Sequence, residues 1–139
     1  MQILAALYSE LSASTNGVAA YTSYRIYPNI APQSAKLPYI VTQIIDNSFA
    51  GHTNVKEIKL YKPMISVNIW SSGYPQCREI AIKVRSALQD YRGLMGGAGG
   101  LTVSRSLFED ETELPDIDPQ TMKPEFRIVQ DYIIWHTSA

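Results

Sequence analysis

At 139 residues, with 45% hydrophobic and 18% charged side chains, the chain has the makeup of one globular domain. A core of that size buries roughly two-thirds of the surface an unfolded chain exposes, so neither disulfides nor a metal is required for the fold. Twelve basic residues against 13 acidic ones give a net charge of −1, which argues against a protein that coats nucleic acid, and Cys77 as the only cysteine excludes an intrachain disulfide or a zinc site of several thiolates.

No apolar run approaches the ~20 residues of a membrane span, and no basic residue precedes the apolar stretch Ile3 to Tyr8. The expectation is therefore a single soluble domain over residues 1–139, suited to a reducing cytoplasm, with no signal peptide and no membrane contact.

Ile3, Leu4, Leu7, Tyr8 and Leu11 fall at helical spacing and predict a short amphipathic helix ending before the turn dipeptide Asn16-Gly17. After a helical turn around Val18 to Tyr21, Tyr24 to Tyr27 reads as a brief strand stopped by Pro28, and Asn29 to Pro38 as a loop. Tyr39 to Ile45 is β-branched and predicts a strand. Asp46 to Asn54 carries the composition of an exposed loop, and Val55 to Tyr61 reads as a further extended segment interrupted by Pro63. Met64 to Trp70 alternates, with Ile65, Val67 and Ile69 on one face and Ser66, Asn68 and Trp70 on the other.

The longest helix follows Gly73, with Pro75 in its first turn, where the missing N–H costs nothing. Cys77, Ile80, Ala81, Val84, Ala87, Leu88 and Tyr91 share one side of it, and Gly93 is the predicted C-terminal cap. Gly96 to Gly100 then reads as a flexible connector, and Leu101 to Phe108 and Phe126 to Trp135 as an antiparallel pair joined by a long acidic loop, the second strand alternating Phe126, Ile128, Tyr132 and Ile134 against Arg127, Val129, Ile133 and Trp135. The expected fold class is α+β: a mostly antiparallel sheet of four to five strands with two helices packed on one face, and an opposite face, carrying Trp70, Trp135 and several tyrosines, that is partly solvated.

The glycine run lacks the Lys-Ser/Thr ending of a phosphate loop and stands between helix and strand in the reverse order, so it is a connector. Cys77 lies on an apolar helix face, and the only histidines are His52, in a predicted loop, and His136, so no nucleophile faces a base and no catalytic, cofactor or metal residue is assigned. Two charged features remain. Arg78, Arg85 and Arg92, seven apart, line the helix side opposite its buried stripe, either as a solvated face or as a docking surface for acidic groups. Glu109, Asp110, Glu111, Glu113, Asp116 and Asp118 hold six of the 13 carboxylates, either as a solvated loop or as an electrostatic contact surface. Assembly of copies is expected to be what brings the two features together.

Three stretches carry a resemblance. "YRIYPNIAPQSAKLPYIVTQIIDN", "ISVNIWSSGYPQCREIAIKVRSALQDYRG" and "SRSLFEDETELPDIDPQTMKPEFRIVQDYIIW", in that order, are similar to the tail-completion proteins of long-tailed bacteriophages and prophages, also described as head-to-tail joining or tail-terminator proteins. The segment Phe49 to Lys62 and the glycine-rich connector depart from that pattern. The resemblance implies a virion structural protein of the tail or neck, assembled in the host cytoplasm, without an active site or cofactor. It further implies a homo-oligomer, commonly a hexameric ring, that caps the head-proximal end of the tail tube, meets the tube protein and a head-tail connector or stopper protein, and lets DNA pass without reading its sequence. Its runner-up is a neck adaptor or stopper, and a small α+β enzyme or ligand-binding domain is the reading from another class. In a ring, the arginine stripe and the acidic segment would be complementary subunit surfaces, or the acidic segment would face the lumen and repel DNA.

Overall fold

The computed structural model describes residues 2–13, 17–49 and 60–137. Three helices, α1 (Ile3–Leu11), α2 (Val18–Thr22) and α3 (Tyr74–Leu88), accompany six strands: β1 (Ile26–Pro28), β2 (Tyr39–Phe49), β3 (Leu60–Ser71), β4 (Gly93–Met95), β5 (Leu101–Ile117) and β6 (Pro124–Thr137). They form one sheet of order β1-β2-β3-β6-β5-β4, in which β1 runs parallel to β2 and every other neighbouring pair is antiparallel. The α+β class is as expected, but the sheet is larger and mixed, and a third helix joins the two expected.

The periodicities read from the sequence explain the core. Ile65, Val67 and Ile69 of β3, with Ile128, Tyr132 and Ile134 of β6, point to the helix side and are fully buried. Leu7 and Leu11 of α1 and Cys77, Ile80, Ala81, Val84 and Leu88 of α3 close over them. Among the described residues no helix covers the opposite face; there Tyr39, Trp70 and Arg127 are half-buried against one another, and Trp135, also half-buried, lies beside Arg105. No helix among the described residues is long and apolar enough to cross a membrane.

Several expected boundaries move. β2 continues through Asp46 to Phe49, so the start of the predicted loop is strand; residues 50–59, including His52 and most of the predicted segment Val55 to Tyr61, lie outside the described residues. Pro63 does not end β3: it pairs with Asn47 of β2, while the ladder to β6 skips Lys62 and Pro63, where a residue without an N–H cannot donate. Helix α3 stops at Leu88, capped by Gln89, with Asp90 in the left-handed region (φ 58°). Gly93 therefore opens edge strand β4 instead of capping the helix, and Gly96 to Gly100 is the tight turn of the β4–β5 hairpin rather than a flexible connector. Glycine is required there, since Gly97 and Gly99 take positive φ (73° and 78°) and a Cβ on Gly100 would run into the Met95 carbonyl.

The largest change concerns the acidic segment. Glu109, Asp110, Glu111, Glu113 and Asp116 are on β5, with Asp118 at the start of the turn to β6; they do not form a loop. Charged residues and Pro115 fit here because β4 covers only Leu101 to Val103, leaving most of β5 as an edge of the sheet, where charge blunts unwanted pairing and proline forfeits no outer ladder bond.

Candidate interaction surface

Two irregularities in β5 decide which carboxylates meet the helix. The register to β6 shifts between Val103 and Arg105 and again between Phe108 and Asp110. Phe108 opposes Tyr132 on the helix side; in an unbroken alternation Asp110 and Thr112 would follow it there. The residue inserted by the second shift, Glu109, reverses that parity, so Glu111 opposes Gln130 and Glu113 opposes Ile128. Glu111 and Glu113 thereby face α3, and Asp110 and Thr112 face the open side.

Helix α3 supplies the complement. Arg78 Nη1 donates to Glu111 Oε2 at 2.7 Å and to Glu113 Oε1 at 3.3 Å, and the Tyr74 hydroxyl donates to Glu113 at 3.0 Å. Two turns along, the Arg85 guanidinium lies 4.1 Å from the centre of the Phe108 ring and its Nε donates to Gln89 at 2.6 Å. From the core, Gln130 Nε2 donates both to Glu111 Oε1 and to the Ala81 carbonyl, each at 2.9 Å, and the Tyr132 hydroxyl donates to Gln130 Oε1 at 2.8 Å. A continuous polar chain thus runs from buried Tyr132 through Gln130 and Glu111 to Arg78, Glu113 and Tyr74 at the surface.

The electrostatics follow this chain. Burial opposes the Glu111 charge, but hydrogen bonds from Gln130 and Arg78, with the Arg78 charge, hold its carboxyl below the usual value. Arg78 is raised in turn, chiefly by its bond to Glu111, and Tyr74 by its bond to Glu113. At the hairpin tip the balance reverses: burial and the nearby Asp118 and Asp116 charges raise Glu125. Among the described residues these two Arg78 contacts are the ion pairs, so Glu109, Asp110, Asp116 and Asp118 have no cation partner there.

The charged features are therefore brought together within a single chain, contrary to the expectation that assembly is needed: Arg78 meets Glu111 and Glu113 because the shifted strand turns them toward the helix. Arg85 is exposed and stacked on an aromatic ring instead of a carboxylate. Arg92 is exposed and off the helix altogether, since α3 ends four residues earlier and the seven-residue spacing carries no meaning beyond Leu88. Sequence reading missed Gln130, although the alternation that buries Ile128, Tyr132 and Ile134 places it on the same face. It also missed Arg127, whose partners Asn68 and Trp70 lie on another strand.

Groups with nucleophilic potential are spent on packing. Cys77 is buried, its Sγ lies 3.6 Å from the Ile69 and Phe126 carbonyl oxygens, and burial pushes its thiol up to about 11. His136 stacks on Tyr61 with ring centres 5.5 Å apart, and burial lowers its pKa. Among the described residues no group of three or more His, Cys, Asp or Glu side chains converges as metal ligands would.

Residues 5–136 match the family of the tail completion protein gp17. Among solved structures, a chain described as virion of native gene transfer agent (GTA) particle superposes with a TM-score of 0.69, covering 97% of this chain and 94% of that one at 14% identity. A second solved chain, 12% identical, superposes with a TM-score of 0.50 over 87% of this chain and 86% of its own length. At such identities the likeness is one of fold. No curated protein matches.

Proposed function

The chain belongs to the tail completion protein gp17 family, whose members are phage tail structural proteins and not enzymes, and from that premise we propose that it is a ring-forming subunit that caps the head-proximal end of the tail tube and joins tail to head. The family match over residues 5–136 is the observation that carries this reading. The likeness of fold to a chain from a gene transfer agent virion supports a place in a particle of that kind.

A ring built by rotation needs two different, complementary surfaces on each subunit. The surface supply fits that demand: exposed Arg85 and Arg92 lie along and just beyond α3, and Glu109, Asp110, Asp116 and Asp118, in no ion pair among the described residues, lie on β5 and its turn. Glu109 and Asp110, exposed and in no ion pair among the described residues, suit a lumen wall, where negative charge repels passing DNA and limits adhesion. Partners on the two sides of such a ring are the tube protein and a connector or stopper protein.

The test is genetic. Particles assembled without this chain are expected to yield full heads and separate tails of unequal length, and supplying it should restore joined particles. Normal particles formed in its absence would overturn the proposal.

A further inference from the structure

We propose that a groove on the open sheet face receives the acidic tip of the β5–β6 hairpin from a second copy of this chain, with Arg127 pairing the carboxylates that flank Ile117 while Ile117 packs on Tyr39 and Trp70. This contact rests on the ring reading above and gives it a specific interface.

The groove, about 250 Å³, lies between the segment Asn29 to Ala31 and the faces of β2, β3 and β6. Its floor is aromatic. Tyr39 stacks on Trp70 with centroids 6.1 Å apart at 26°, and the Arg127 guanidinium lies 4.9 Å from the Trp70 ring centre. Asn68 Oδ1 accepts from Arg127 Nε at 3.1 Å and Nη2 at 2.5 Å, and Asn68 is itself buried. One edge of the guanidinium is thus engaged by a fixed acceptor, and the Nη1–Nη2 end stays open for a carboxylate in the forked geometry arginine favours.

No carboxylate among the described residues takes that end. Among the described residues Arg127 makes no ion pair; Glu125, two residues earlier on the same face, does not come within ion-pair distance. An arginine stacked on tryptophan, held by a buried asparagine and lacking a counter-ion is set up for an incoming acid beside an apolar group.

The chain itself carries such a segment. Asp116 and Ile117 close β5 and Asp118 opens the turn, with Ile117 56% exposed and neither aspartate ion-paired among the described residues. Burial and the neighbouring Asp118 and Asp116 charges all raise Glu125, so a cation brought to the tip relieves repulsion as well as adding attraction. A second copy fits as occupant because the groove is lined by β2, β3 and Arg127 of β6, whereas the tip is the end of β5 and its turn, so the two are different surfaces of opposite charge on one subunit. The two surfaces therefore complement each other head to tail, as a ring requires.

Sedimentation velocity of the full chain, across concentration and salt, tests this with Arg127→Glu, with Asp116→Lys/Asp118→Lys, and with all three changes combined. Ile117→Ser is an additional variant that leaves the turn carboxylates intact, and circular dichroism verifies that each variant folds. Each charge reversal should raise the concentration needed for assembly at least tenfold, the combined swap should recover most of the loss, and Ile117→Ser should weaken assembly without changing its salt dependence. Wild-type rings unaffected by any of these changes would overturn the groove contact and leave the ring reading standing. A wild-type chain that stays monomeric both alone and on tail tubes would overturn the ring reading first. Variants that form normal rings but lose their hold on tubes would mean that the groove takes another protein, which also overturns the contact.

Discussion

Replacing Gln130 by leucine should be costly out of proportion to the change in size. Gln130 is fully buried and makes three hydrogen bonds: to the Ala81 carbonyl, to Glu111 and from the Tyr132 hydroxyl. Leucine fills similar space, so little cavity term arises. Glu111 lies near the surface, its side chain 22% exposed, and can recover water, whereas the Tyr132 hydroxyl is enclosed and cannot. An orphaned buried hydroxyl costs about 1–3 kcal/mol and the lost bonds add about 1 more, so the expected loss is about 2–4 kcal/mol. For a domain of this size that is about 6–12 °C in Tm. The diagnostic step is the second substitution. Tyr132→Phe alone should destabilise by leaving the Gln130 carbonyl oxygen unpaired, but in the Gln130→Leu background it removes the orphan and should restore about 1–2 kcal/mol. Urea melts of the four proteins give this coupling directly. A Gln130→Leu protein within about 0.5 kcal/mol of wild type, or a phenylalanine that adds its full cost in both backgrounds, would refute the role assigned to the buried chain.

Acidity should act in two stages. Glu125 is raised in the folded state, so as pH falls from neutrality through its folded pKa the native protein takes up the proton first and stability rises; Glu125→Gln should abolish that part of the rise in pH-dependent melts. Glu111 is lowered, so its contribution is present above its unfolded pKa and is lost as pH falls through the folded one, a loss Glu111→Gln should not show. Gly100→Ala should lower Tm by several degrees because its Cβ meets the Met95 carbonyl, whereas Gly73→Ala, with open space and an ordinary extended φ of −124°, should change it little. Cys77 should resist a thiol reagent at pH 8 in the native protein and react fully in denaturant; rapid native labelling would contradict its buried, raised state.

What the sequence made legible was period and composition. Alternation located β3 and β6 and assigned their core faces, and the helical stripe from Cys77 to Leu88 named the buried side of α3, because burial imposes those repeats directly. The acidic segment was illegible for a physical reason: as an edge strand exposed on both faces beyond Glu111 it has no apolar alternation, and its strand character comes from pairing with β6. The inserted residue at Glu109, which turns Glu111 and Glu113 toward Arg78, leaves no mark in the local sequence and is visible only as a break in register against a distant strand. Parallel pairing of β1 with β2 was hidden likewise, since three residues, Ile26 to Pro28, carry too short a pattern to declare a partner. The arginine stripe was half legible: helical spacing correctly placed Arg78 and Arg85 along one side, and failed at Arg92 because the helix had already ended.

Electron microscopy of the purified chain, alone and mixed with tail tubes, shows whether it forms a ring that caps the tube. Closed rings are expected, or tubes carrying a cap of this protein at one end only, with capped tubes no longer growing. A protein that remains monomeric and leaves both tube ends bare and extending would contradict that role.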